Sequence, residues 1–166
     1  AAGLIASSLS ATLPAMAESS TAAKEPARVL VAFLYPPAQV VEAGEMEDGW
    51  ARHNWFTWPG NQFMPEEQEK KFTLEIKRIA EKLAIDVEFM PAAIYQSEKV
   101  DAFISKAQSE KPDAVLIVNF WNSLSPWSYR MVKEAAPTGI VYQPVGSNHQ
   151  IPPEYLRNSD GFYYIH

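Results

Sequence analysis

The chain has 166 residues, 47% of them hydrophobic, which suffices for one domain with a sizeable core. Its net charge of −6 is spread over interspersed acids and bases, and without a basic stripe nucleic acid is not expected as a partner. There is no cysteine, so disulfides, thiol nucleophiles and thiolate metal sites are excluded.

The first stretch, AAGLIASSLSATLPAMA, is weakly apolar and ends in Ala15-Met16-Ala17, the small-x-small pattern of a signal-peptidase site. Residues 1–17 are therefore expected to be the remnant of a signal peptide, with cleavage before Glu18 and an exported (periplasmic or secreted) product. The alternative is a plain Ala/Ser-rich tail. The run is too short and too polar for a membrane span, and no membrane span is expected. Residues 18–27 read as a linker and residues 28–166 as the folded domain, expected to be the N-terminal domain of a longer protein.

From Arg28 the pattern alternates strand with helix. RVLVAFLY is a continuous apolar run with β-branched residues, as in a strand buried on both faces. Pro36 to Met64 reads as a long irregular segment dense in Gly, Pro, Trp and acids. A helix is predicted to open at Pro65, with Glu66 and Glu67 in the first turn where the dipole favours negative charge. Phe72, Ile76, Ile79 and Leu83 then recur at helical spacing. IDVEFMP is the second strand, and Ser97 is the expected cap of a helix whose Val100, Phe103, Ile104 and Ala107 share one face. DAVLIVNFW is the third strand, followed by a helix from Ser125-Pro126 to about Ala136. GIVYQPV and GFYYIH are the fourth and fifth strands.

Strands separated by helices of this length specify an α/β fold: an open parallel sheet of about five strands with helices on both faces, flavodoxin-like or Rossmann-like. Such folds bind ligands in the crevice beyond the carboxyl ends of the strands. The loops that leave strands one, three and four would bring Asn119, Asn122, Gln143, Asn148, His149 and Gln150 together, with Trp58 and Trp121 as flat apolar surfaces. Neutral groups that both donate and accept hydrogen bonds, set beside indole rings, suit a monosaccharide or another small polar ligand. The same residue types also serve as ordinary loop residues that satisfy local backbone groups, and Trp121 serves equally well as a core residue closing the sheet end.

Several chemistries are excluded by their missing motifs. No GxGxxG follows the first strand, and there is no GxxxxGK[ST] and no GxSxG. The three histidines (His53, His149, His166) form no HxH or HxxxH pair, so no metal site is expected in this domain.

The stretch EFMPAAIYQSEKVDAFISKAQSEKPDAVLIVNFWNSLSPW, followed by GIVYQPVGSNHQIPPE, resembles the N-terminal domain of the arabinose/fucose isomerase superfamily. The resemblance spans roughly Arg28 to His166 and is clearest from Val87 to Pro153. Its local matches are the Ser125-Pro126 helix start and the Asn-x-x-Ile-Pro turn at Asn148–Pro152. WFTWPGNQF aligns with a Gly-x-Gln segment that gives Gln62 a substrate-facing role. What the resemblance implies is a flavodoxin-like domain of a metal-dependent aldose–ketose isomerase. Such a domain supplies substrate contacts (Gln62, Asn119, Trp121, Asn122, Gln143, Asn148, His149) but no catalytic acid or base. No cofactor is implied for this domain; a divalent, Mn-type metal belongs to later domains, and a homo-oligomer is implied. The chain departs from the family in the long insertion Pro36–Met64. The residue-based alternatives are a carbohydrate- or small-ligand-binding domain without chemistry, and a structural or oligomerisation domain.

Overall fold

Five consecutive buried residues, Leu30 to Leu34, make the first apolar run a central strand, β1 (Arg28–Leu34). The computed structural model describes residues 25–45, 64–144 and 152–165. Four further strands join β1: β2 (Asp86–Phe89), β3 (Ala114–Asn119), β4 (Thr138–Tyr142) and β5 (Phe162–Ile165). They form one sheet in the order β2-β1-β3-β4-β5, with every neighbouring pair parallel. This is the flavodoxin-like strand order, in which the winding reverses between β1 and β3.

The helices are α1 (Ala38–Ala43), α2 (Pro65–Leu83), α3 (Ser97–Glu110), α4 (Ser125–Ala135) and the single turn α5 (Glu154–Arg157). Parity along the strands shows which face each helix covers. Val115, Gly139 and Phe162 are register partners, and Gly139 lies directly under Val132 of α4. Lys106 of α3 pairs with Glu88, which is in register with Leu30, so α3 shares that face with α4. The opposite face carries α2: Phe72 packs on Tyr142, and the Lys77 ammonium lies over the Phe89 ring. Helices therefore lie on both faces, as the alternation of elements predicts.

The sequence expectation and the structure differ in four places, the first being the single turn α5, which no sequence pattern announced. α1 forms inside the segment read as irregular and ends on Gly44 in the left-handed region, at φ 70°. Both serine caps move by one residue: Gln96 and Leu124 occupy the cap positions, without side-chain cap bonds, and Ser97 and Ser125 are the first helical residues. Ile79 and Leu83 of α2 stay exposed, because the stripe that meets the sheet runs through Phe72, Ile76 and Ala80. Among the described residues no helix is long and apolar enough to cross a membrane.

Candidate functional site at the carboxyl edge of the sheet

The reversal between β1 and β3 sends the loops after these strands to opposite faces, which opens a crevice at their carboxyl ends. Tyr35 follows β1 and Asn119 ends β3, in register with Leu34. Gln143 comes one step after Tyr142, whose partner is Val118, so it stands beside Asn119. Tyr35, Asn119 and Gln143 thus lie on one edge of neighbouring parallel strands, where the sequence places them.

Their side chains do not all face the crevice. Asn119 and Gln143 fall on the same parity as Val115 and Gly139, and so point beneath α4. Their residual exposures are 0% and 1%. The Asn119 Oδ1 accepts a hydrogen bond from the Trp121 N–H at 3.0 Å, an Asx-turn that bends the chain sharply out of the sheet. The Asn119 Nδ2 donates to the Ser125 hydroxyl at 3.2 Å, so the strand end is tied to the start of α4. Gln143 accepts on Oε1 from the Tyr164 hydroxyl at 3.0 Å, and its backbone N–H donates to the Ile165 carbonyl, which extends the ladder to β5.

The phenol of Tyr129, buried on α4, hydrogen-bonds Ser125. Burial first, and then the neighbouring Tyr164 phenol, push the Tyr129 phenol up to about 12, against the opposing effect of the Ser125 bond. Tyr164 is also pushed above its ordinary range by burial. No buried side-chain polar atom among the described residues lacks a partner.

One residue later the parity flips. Phe120 turns to the α2 face and packs at 5.7 Å from the Phe33 ring, 5.7 Å from Tyr35 and 5.6 Å from Phe72. These rings close the sheet end at the switch between β1 and β3. Trp121 is also buried, at 5% exposure, and Asn122 opens a single 3-10 turn, Asn122–Leu124. Gln62, Asn148 and His149 lie outside the described residues.

A second arrangement at this edge carried no motif. The Tyr35 hydroxyl donates to the Glu69 carboxylate, and the Ala38 N–H donates to Glu66 Oε1 at 2.7 Å. Burial, followed by the Glu69 bond and the negative charge of Glu69 and Glu66, drives the Tyr35 phenol far above its usual range. Two acids one helical turn apart thus pin the loop after β1 to the first turns of α2. Beside them an open cleft of about 700 Å³ lies between α2 and the loop after β2, with Pro37, Thr73, Leu74 and Pro91 among its walls. The available signal was the spacing of Glu66 and Glu69, which puts them on one face.

Among the described residues no group of three His, Asp or Glu side chains is placed to hold a metal ion. No family model matches this chain, and neither curated proteins nor solved structures give a significant match.

Proposed function

We propose that this chain is the substrate-contacting, non-catalytic flavodoxin-like domain of an exported sugar isomerase-like protein. A monosaccharide or similar small polyol would meet it at the carboxyl edge, over the ends of β1, β3 and β4. The observation that supports this most is that the carboxyl ends of β3 and β4 lie side by side next to the β1/β3 switch point, where folds of this strand order take their ligands. The local resemblance from Val87 to Pro153 supplies the sugar class. In this reading the isomerisation, its divalent metal and its acid–base groups belong to other parts of the full-length protein. This domain orients the sugar through the loops that begin at Trp121 and Pro144, with Gln62, Asn122, Asn148 and His149 as the contacts expected from the sequence.

A second reading is favoured by the commitment of Asn119 and Gln143 to internal bonds: the edge binds a small polar ligand without any chemistry. One experiment separates them. The full-length protein is titrated calorimetrically with L-fucose, L-arabinose and other pentoses and deoxyhexoses, and aldose-to-ketose conversion is assayed with Mn²⁺. Binding with turnover supports the first reading and binding without turnover the second; no binding by any sugar removes the first and restricts the second to ligands other than sugars. In the binding case, Asn148→Ala or His149→Ala should weaken affinity several-fold, the effect of losing about 1 kcal/mol of ligand hydrogen bonding, with the melting temperature unchanged.

A further inference from the structure

The two edges of the sheet are unlike. β2, at one end of the strand order, carries Asp86 and Glu88, and Lys106 of α3 pairs with Glu88 at 2.8 Å. Charged side chains on an edge strand discourage pairing with another chain. β5, at the other end, reads FYYI, without a charge, a proline or a glycine. Among the described residues no strand lies beyond it. The Gly161 and Ile165 carbonyls accept from the Gly139 and Gln143 N–H groups, so the odd-numbered residues of β5 turn their backbone toward β4. By alternation, the N–H and C=O groups of Phe162 and Tyr164 point away from the sheet. An uncharged edge with outward main-chain groups is a template for one more strand. We infer that this strand is β5 of a second copy, and that the protein forms a two-fold dimer through antiparallel β5–β5 pairing.

Geometry, charge and packing select a second copy. A two-fold axis normal to the sheet maps each face onto itself, so opposed residues must share a parity. Pairing centred on Tyr163 meets that condition. It sets Phe162 against Tyr164 of the partner subunit, and Tyr164 against Phe162 of the partner subunit, so that every outward group of this strand enters the new ladder. Because β5 is uncharged, this pairing brings no like charges together, whereas pairing β2 with itself would oppose acids. Adding β5 to β2 of the next copy would meet Asp86 and Glu88 and would run on as an open filament. Tyr163 and Ile165 lie on the α2 face and are 58% and 51% exposed. About the axis they join the same pair of the other copy in one apolar strip, with the two Tyr163 rings opposed, a favourable cross-strand pair. The contact is small: an edge of 4 residues buries less than a standard interface, so the dimer is expected to depend on concentration. The net charge of −6 opposes association at long range, and physiological salt screens it beyond a Debye length of about 8 Å. This pairing needs no ligand and stands apart from the sugar reading.

Sedimentation equilibrium of the full chain over a range of concentrations, at about 0.15 M salt, tests the inference. The parent should show a monomer–dimer equilibrium. Tyr163→Lys places like charges opposite each other at the axis and should weaken the dimer several-fold or more, with the circular dichroism and the melting temperature of dilute protein unchanged. Leu74→Lys, at a 71% exposed position on α2, is the control and should leave the dimer intact. The 166 residues contain no cysteine, so Tyr163→Cys gives a second reading. In a pair without mutual hydrogen bonds the Cα atoms stand about 4.5 Å apart, within disulfide reach. Mild oxidation should therefore cross-link Tyr163→Cys much faster than Leu74→Cys. A parent that stays monomeric up to about 1 mM overturns the inference and leaves the edge to an extended peptide of another protein. A dimer that Tyr163→Lys leaves intact, or that Tyr163→Cys cross-links no faster than Leu74→Cys, overturns it as well, because the copies then meet elsewhere.

Discussion

Replacing Asn119 with Ala should lower stability by about 1–3 kcal/mol, because the Trp121 N–H and the Ser125 hydroxyl would lose their partner in a dry site. Urea unfolding measures this directly, and Asn119→Asp, which keeps an acceptor for Trp121, should recover part of the loss. The position of Asn119 at a strand end was legible from the apolar run before it. Its burial was not, because that depends on which face α4 covers at that height, and strand parity has meaning only once the partner helix is placed. Trp121, read as either a ligand platform or a core residue, lies in the core for the same reason. The buried tyrosines give a pH prediction at this scale. An unfolded tyrosine ionises near 10.0, whereas burial pushes Tyr129 up to about 12 and raises Tyr164, and Tyr35 also titrates well above the ordinary range. The unfolded chain therefore loses these protons first. The stabilising contribution is fully present below pH 10 and is lost as pH rises through the folded values. The urea midpoint should fall between about pH 10 and 12, and Tyr129→Phe should make that fall shallower.

The elements most legible in the sequence were β1 and β3 as unbroken apolar runs, α2 and α3 by helical spacing, and α4 by its Ser125-Pro126 start. α1, with six residues, and α5, with four, are too short for a period to register. The cap at Ser125 was misplaced by one residue because its hydroxyl accepts from the Asn119 amide under α4 and does not serve the helix start. The glycines between elements carry a sharper expectation. Gly161, in the turn before β5, has φ +79°, and a Cβ there would lie 2.3 Å from the Pro137 carbonyl oxygen. Gly44, closing α1, has φ +70° with no described residue within 4 Å of the added atom. Both alanine variants incur the backbone cost of the left-handed region, about 1 kcal/mol. Only Gly161→Ala adds a collision with backbone, so it should cost about 1–3 kcal/mol more, as overpacking does. Thermal melts of the pair check the difference, and equal losses would mean that the turn before β5 relaxes freely.

At the scale of the whole molecule, alternation of strand and helix was enough to specify an open parallel α/β sheet, because parallel strands need a crossover between them. The strand order and the facing of each helix came only with the structure. Protein recovered outside the cytoplasm should begin at Glu18, as terminal sequencing would show, and a mature chain that retains residues 1–17 would refute the leader. All-parallel sheets ordinarily have both faces covered. Here the face under α3 and α4 is covered as far as β5, where Phe162 and Tyr164 pack against the core. On the opposite face α2 reaches β4 through Phe72, but beyond it Tyr163 and Ile165 of β5 remain 58% and 51% exposed. Substitution should read this asymmetry directly. Tyr163→Thr and Ile165→Thr should each change stability by no more than about 0.5 kcal/mol, as is usual for surface positions. Ile117→Ala, at a fully buried position in β3, should cost about 2–5 kcal/mol through lost transfer energy and the cavity left behind. Chemical unfolding of the three variants decides the matter. If Ile165→Thr is as damaging as Ile117→Ala in the full chain, that face of β5 is covered in solution and its exposure is not a property of the folded protein.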